Sequence, residues 1–289
     1  MTPSSVQRPI GVFDSGIGGL SVLAALRTQL PREDFIYLAD SAHTPYGEKG
    51  DAFVIDRTLA VGRWLLQQHG IKALVVACNT ATAAAVEALR AALPGLPVVG
   101  VEPALKPAAA HTRTGLVGVL ATRGTVTSAR FARLRAGHED QTRFIVQACD
   151  GLAQAIEDGT LAQRAAEAGT RIQELCARYT RALGRFGMAP GEIDTLVLGC
   201  THYVFAQAPL RALVGPQVHI IDNGAAVARQ TQRLLLARQA LVPAATDESA
   251  GAAGGRVVLC ATGAPDALRA AARHWLGFPD SCPLHNARI

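Results

Sequence analysis

The stretch Thr195-Leu196-Val197-Leu198-Gly199-Cys200-Thr201-His202-Tyr203 is a short apolar run that stops at a glycine and hands over to a cysteine and two polar side chains. An apolar run of this length, followed by an amphipathic segment, predicts a buried parallel strand whose carboxyl end delivers Cys200 into a crevice. The same order of residue types stands 122 positions earlier, in Ala73-Leu74-Val75-Val76-Ala77-Cys78-Asn79-Thr80. One such site has a bland reading, because buried cysteine is usually an inert small hydrophobe. Two in one chain predict paired thiols facing one cleft.

The remaining elements repeat around these two. Ile10-Gly11-Val12-Phe13 predicts a strand ending in Asp14-Ser15-Gly16-Ile17-Gly18-Gly19, then a helix from Leu20 that Pro31 ends. Phe35-Ile36-Tyr37-Leu38 predicts a second strand, running into a polar loop through Pro45-Tyr46-Gly47. Phe53 to Gln68 keeps a helical period, with Gly70 as its stop. The Cys78 strand and Pro97 to Pro103 complete a β-α-β-α-β-α-β series, the pattern of a doubly wound parallel sheet. It restarts at Gly115 to Leu120, which ends in Ala121-Thr122-Arg123-Gly124-Thr125. Phe144-Ile145-Val146, a helix over Thr160 to Leu183, the Cys200 strand and Val218 to Asp222 follow. Cys78 to Glu102 is 24 residues and Cys200 to Asp222 is 22, so the halves read as an internal duplication. The tail holds a helix from Gly224 to Ala240, a small-residue linker (Pro243 to Gly255) with a flexible tip at Ala252 to Gly255, a strand from Arg256 to Ala261 and a helix to Leu276. The expectation is an α/β protein of two pseudo-symmetric doubly wound parallel-sheet domains, with the active site in the cleft between them and the tail appended to one sheet.

Composition excludes several classes. With 289 residues, 49% hydrophobic and 18% charged, the chain can bury a large core and is not disordered. No apolar run approaches the roughly 20 residues of a membrane helix, and Met1 to Arg8 carries no secretory block. A cytoplasmic enzyme without membrane contact is expected. The net charge of +5 is carried by 25 arginines and 3 lysines scattered along the chain, not interleaved with aromatics, which argues against nucleic acid. Six cysteines without C-x-x-C spacing exclude a zinc ribbon or disulfide scaffold, and no metal site is expected. Cys149, Cys176, Cys260 and Cys282 read as inert core thiols.

In open parallel sheets, ligands bind beyond the carboxyl ends of the strands. The polar clusters at those ends are Asp14-Ser15, Tyr46-Gly47, Cys78-Asn79-Thr80, Thr122 to Thr125 and Cys200-Thr201-His202. A helix start favours anions, both a thiolate and a substrate carboxylate. Asn79, Thr80 and Thr201 suit capping or contact with a small polar ligand. Two thiols flanking one carbon can carry out a two-base racemisation: one removes a proton as thiolate while the other delivers a proton to the opposite face. His202 and Asp14 are the candidates to tune these thiols. Asp14 to Gly19 has neither the G-x-G-x-x-G spacing nor a Walker lysine, so it is weak as a nucleotide loop.

At these residues the chain resembles the glutamate racemases, cofactor-independent bacterial enzymes that make D-glutamate for peptidoglycan. The matching pieces are Phe13 to Leu20, Pro45-Tyr46-Gly47, Ala77 to Ala81, Val101-Glu102-Pro103, Gly124-Thr125-Val126 and Gly199 to Tyr203. The resemblance implies Cys78 and Cys200 as the catalytic thiols, Asp14 and His202 as their supports, and Glu157 as an acid near the second thiol. It implies glutamate contacts from Asp14, Ser15, Pro45, Tyr46, Gly47, Asn79, Thr80, Thr122, Thr201 and His202. It implies no cofactor, and a split first domain (residues 9–104 plus 216–280) around a second (105–215); a homodimer is the expected assembly. Three rivals remain. A two-thiol racemase of aspartate or a hydantoin is the nearest, though His202 stands where aspartate racemases usually have glutamate. A pyridoxal-phosphate racemase would need Lys49, Lys72 or Lys106 in a phosphate-binding context. A non-catalytic amino-acid-binding module would need no pair of thiols.

Overall fold

The computed structural model describes residues 5–140, 142–161, 163–243, 254–263 and 265–289. The first half of the chain forms β1 (Ile10–Asp14), α1 (Leu20–Gln29), β2 (Phe35–Ala39), α2 (Asp51–His69), β3 (Ala73–Val76), α3 (Asn79–Ala92), β4 (Val98–Gly100) and α4 (Leu105–His111). The second half forms β5 (Leu116–Ala121), α5 (Arg123–Val126), α6 (Ala129–Ala136), β6 (Arg143–Ala148), α7 (Leu152–Asp158), α8 (Ala165–Leu183), β7 (Thr195–Gly199), α9 (Gln207–Val214), β8 (His219–Ile221) and α10 (Gly224–Ala237). The tail adds β9 (Val257–Ala261), α11 (Pro265–Leu276) and β10 (Leu284–Asn286).

The strands make two parallel sheets, ordered β10-β9-β2-β1-β3-β4 and β6-β5-β7-β8. The inner order of the first sheet, β2-β1-β3-β4, is the order of the second, as the duplicated spacing predicts. Strands β1, β2, β3 and β7 are buried along their whole length, which is why they read as unbroken apolar runs. In each sheet the chain leaves the first strand toward one edge and returns past it to the other. The carboxyl ends of β1 and β3, and of β5 and β7, therefore flank a switch point where a ligand crevice opens. Register puts Phe13 beside Val76 and Ala121 beside Gly199, so Ser15 falls beside Cys78 and Thr122 beside Cys200 at the carboxyl ends of the two sheets.

Helices cover both faces of the sheets. In α2, buried Val54, Thr58, Val61, Gly62 and Leu65 lie on one face at helical spacing, and Gly70 ends the helix in the left-handed region (φ 56°). One apolar cluster runs without a break from β1, β3 and α1 through α7, α8 and β7 to α10 and α11, joining the two units. Strand β8 lies in the second sheet and α10 packs on α1, so the chain returns to the first unit after β8 rather than at 216. Beyond residue 280, β10 extends the first sheet.

The stretch read as one helix from Thr160 is α8 alone, beginning at Ala165, and α7 precedes it as a separate short helix. The expected flexible tip of the linker lies outside the described residues at 252–253. Among the described residues, no helix is long and apolar enough to cross a membrane.

Candidate active site

Asp14 ends β1, Cys78 follows β3, Thr122 follows β5 and Cys200 follows β7. Each is placed by a buried strand that stops at the crevice. Cys78 caps α3: its sulfur accepts the Ala81 N–H at 3.4 Å, so the thiol sits on unpaired helix donors. Its S–H faces the Ser15 hydroxyl at 3.8 Å. Asp14 turns back on the glycine loop, accepting from Ser15 N at 2.8 Å and from Gly19 N. Across the cleft, the Thr201 hydroxyl donates to Asp14 Oδ2 at 3.3 Å. Cys78, Ser15, Asp14 and Thr201 thus form a continuous series that ends beside Cys200.

The second thiol has a different neighbourhood. The turn Thr201–Ala206 is 3-10 rather than α-helical, and the Cys200 sulfur makes no cap bond. It faces His202 Nδ1 at 3.8 Å. His202 Nε2 lies 2.6 Å from Glu157 Oε1, the same oxygen that accepts the Ile17 N–H at 2.8 Å. Glu157, on α7 of the second unit, therefore ties His202 to the glycine loop of the first.

This arrangement explains two of the glycines. A methyl group at Gly16 would lie 1.8 Å from Glu157 Oε1, and one at Gly18 would lie 2.3 Å from His202 Nδ1. Positions 16 and 18 carry no side chain, which lets the second unit close on the loop, whereas Gly19 packs against Asp14, Tyr37 and Ala77 of the first unit. The loop is no phosphate cradle.

Electrostatics separate the two thiols. Burial pushes the Cys78 thiol well up, the Asp14 charge adds to this, and the Ala81 N–H opposes it. Burial alone would lower the His202 value. Its hydrogen bonds to Cys200 and Glu157 and the charge of Glu157 prevail, holding the imidazole well above its ordinary 6.5. Asp14 is raised by burial, against the opposing charge of His202 and the Ser15 N–H. One side of the cleft holds a protonated thiol near a buried carboxylate, and the other a sulfur facing an imidazolium.

Of the remaining sequence-selected residues, Thr80 and Thr122 meet across the cleft, hydroxyl to hydroxyl at 2.9 Å, and Thr122 continues to Thr125 at 2.9 Å. Gly47 packs on Thr122, with room for no side chain: a methyl there would stand 2.7 Å from Thr122 Cβ. Pro45 follows a cis peptide bond and opens the turn Tyr46–Glu48. The Tyr46 hydroxyl is not in the cleft series. It donates to Asp40 Oδ2 at 2.5 Å, in a cluster with Arg57 and Thr262, so the hydroxyl is committed there. Asn79 is buried and meets Asn223, a residue that sequence reading did not select; the only sign was its place just past the fourth repeat strand. Thr44 Oγ1 is buried beside Gly16 and has no partner among the described residues. Burial pushes the Cys176 and Cys260 thiols up to about 12. Among the described residues, no group of three His, Cys, Asp or Glu side chains could hold a metal ion.

A family model described as Asp/Glu/hydantoin racemase matches residues 10–231. The chain is 53% identical over 229 residues to a glutamate racemase of Ectopseudomonas mendocina, covering 79% of this chain and 82% of that protein. Its fold is similar to a glutamate racemase isoform of Bacillus anthracis, with TM-score 0.81, 29% identity and 98% of each chain covered. It is also similar to Escherichia coli glutamate racemase in complex with L-glutamate and the activator UDP-MurNAc-ala, with TM-score 0.79 and 30% identity over 98% of this chain and 99% of that one.

Proposed function

The chain belongs to the Asp/Glu/hydantoin racemase family, as an amino-acid racemase of the glutamate racemase kind, and from that premise we propose that it interconverts L- and D-glutamate by proton transfer between two thiols. Glutamate binds between the half-sites with its α-carbon between Cys78 and Cys200. One cysteine, as thiolate, takes the α-proton from one face; the other, as thiol, gives a proton to the opposite face. The reverse reaction exchanges the roles.

The observation that supports this reading is the series Cys78–Ser15–Asp14–Thr201, which links the end of one thiol-bearing strand to the residue after the other thiol. The supporting groups suit the chemistry. A buried thiol beside a carboxylate stays protonated in the free protein, ready to act as acid. The substrate ammonium, arriving near Asp14, offsets the carboxylate charge and favours the thiolate when Cys78 must act as base. The imidazolium of His202, oriented by Glu157, stands ready to donate to the Cys200 sulfur. Thr80, Thr122, Thr201, Ser15, Asn79 and the Tyr46–Gly47 backbone supply short polar contacts for two carboxylates and one ammonium. Both protons are handled by side chains, so neither metal nor pyridoxal phosphate takes part. The product D-glutamate supplies peptidoglycan synthesis, and the free thiols suit a reducing compartment such as the cytoplasm.

The test uses protein dialysed against a chelator and a carbonyl trap, incubated with L- or D-glutamate in D2O. Optical rotation decaying to zero with α-deuteration is the expected result. Lost activity that pyridoxal phosphate or a metal restores, or turnover of aspartate in preference to glutamate, would contradict it.

A further inference from the structure

Asn223 stands between β8 and α10, at the crossing from the second sheet to the first unit, and its side chain is buried. Its Nδ2 donates to two acceptors, the Leu198 carbonyl at 3.4 Å and Asn79 Oδ1 at 3.4 Å. Leu198 lies on β7 two residues before Cys200, and Asn79 directly follows Cys78. One side chain therefore joins the strand carrying the second thiol to the helix start carrying the first.

The chemistry of the three groups fixes their orientation. A backbone carbonyl can only accept, so Leu198 requires the nitrogen end of the Asn223 amide to face inward. That nitrogen can be met only by an oxygen, which turns Asn79 Oδ1 toward Asn223. The remaining end of the Asn79 amide, its Nδ2, is then committed away from Asn223. It is buried, and among the described residues it has no hydrogen-bond partner. A flip of Asn79 would bring two NH2 groups face to face and is disfavoured. Asn223 Oδ1 is likewise buried without a partner among the described residues, but it is an acceptor; Asn79 Nδ2 is the donor of the pair whose missing partner an anionic ligand can supply.

We propose that Asn223 is a positioning residue: it locks the Asn79 amide so that Nδ2 is free to donate to a carboxylate oxygen of the substrate. This rests on the glutamate racemase reading. Because Leu198 and Asn79 belong to opposite sides of the cleft, the donor is aligned only when the two half-sites stand together. Asn223 touches no substrate and acts through Asn79.

The test compares wild type, Asn223→Ala, Asn223→Asp, Asn79→Ala and the double alanine variant, all as full chains, in racemisation from L- and from D-glutamate. In Asn223→Asp, which is nearly isosteric, the new carboxylate accepts from Asn79 Nδ2 and occupies the donor. KM for both enantiomers should rise about tenfold or more, the worth of one hydrogen bond to a charged group, with kcat changed less than about threefold. Asn223→Ala, which only releases the amide, should raise KM about three- to tenfold. In the Asn79→Ala background, Asn223→Ala should change KM less than about twofold, because the group it positions is gone. A merely structural role would lower the melting temperature and leave KM alone. KM within about twofold of wild type in Asn223→Ala, or the same increment with and without Asn79, overturns the proposal. If Asn223→Asp does not fold, the alanine cycle alone decides. A wild-type protein that does not racemise glutamate overturns the functional reading itself, which is a different result from an active enzyme indifferent to Asn223.

Discussion

Replacing Glu157 by glutamine removes one charge and almost no volume from the pair that holds His202. Glu157 Oε1 accepts from His202 Nε2 at 2.6 Å and from Ile17 N at 2.8 Å, and both side chains are buried. Glutamine keeps an acceptor oxygen for one of these donors but not the carboxylate charge. A hydrogen bond to a charged group contributes about 1.5–3 kcal/mol and a neutral one about 0.5–1.5 kcal/mol. The exchange therefore removes about 1–1.5 kcal/mol of preference for the imidazolium. The His202 pKa moves downward, since the Glu157 bond and charge are among the causes that raise it. The assay is a titration of 13C-labelled histidine rings by NMR, with the His202 signal identified by its loss in His202→Asn. Stability follows the same sign. A histidine raised on folding stabilises fully below its unfolded value of about 6.5, and the contribution fades as pH rises through the folded value. The variant should thus lag wild type by about 1–1.5 kcal/mol below pH 6.5, with the gap closing at higher pH. An unchanged His202 midpoint in Glu157→Gln would refute the role given to this carboxylate.

Two further perturbations test the packing. Gly16→Ala places a methyl 1.8 Å from Glu157 Oε1, the mobile end of a side chain that can swing away. Racemisation should fall about tenfold or more while the melting temperature drops only slightly, because the methyl unseats the carboxylate that orients His202 and leaves the core untouched; full activity would refute the close approach. Lys72 is buried against Glu33 at 2.5 Å and also donates to the carbonyls of Val6 (2.6 Å) and Ala240 (2.8 Å), far from the cleft. Lys72→Met strands the Glu33 carboxylate and should cost about 3–5 kcal/mol, lowering the melting temperature by roughly 10 °C with kcat unchanged, and an unaltered melting curve would count against it.

The two cysteine strands were legible because a parallel strand buried on both faces must be a continuous apolar run, and its end must be polar where it meets the crevice. The repeated order of those runs carried the division into two similar parallel-sheet units as well. The reason for the glycines at positions 16 and 18 was not legible. It lies in Glu157 and His202, 140 or more residues away in the chain. Glu157 came from family resemblance, since α7 is too short to announce itself by periodicity. Asn223 was missed because an asparagine ahead of a helix reads as a cap, whereas here its side chain makes no cap bond and reaches inward to Asn79. The Tyr46 hydroxyl was drawn off by Asp40 and Arg57, a buried cluster that no local pattern reveals. Strand β10, three residues long and preceded by Pro283, has too little pattern to stand out.

The two-thiol mechanism is tested most directly by Cys78→Ser and Cys200→Ser, assayed for racemisation and for α-proton exchange or elimination on glutamate analogues of either configuration. A hydroxyl is far less acidic than a thiol, so each variant should lose racemisation by several orders of magnitude. Each should retain partial chemistry on one enantiomer only, and the two should prefer opposite ones, because each remaining thiol faces one side of the α-carbon. Resemblance to the family assigns the D-enantiomer to Cys78 and the L-enantiomer to Cys200. Near-wild-type racemisation in either variant, or the same stereochemical preference in both, would mean that one residue performs both proton transfers and would contradict the mechanism.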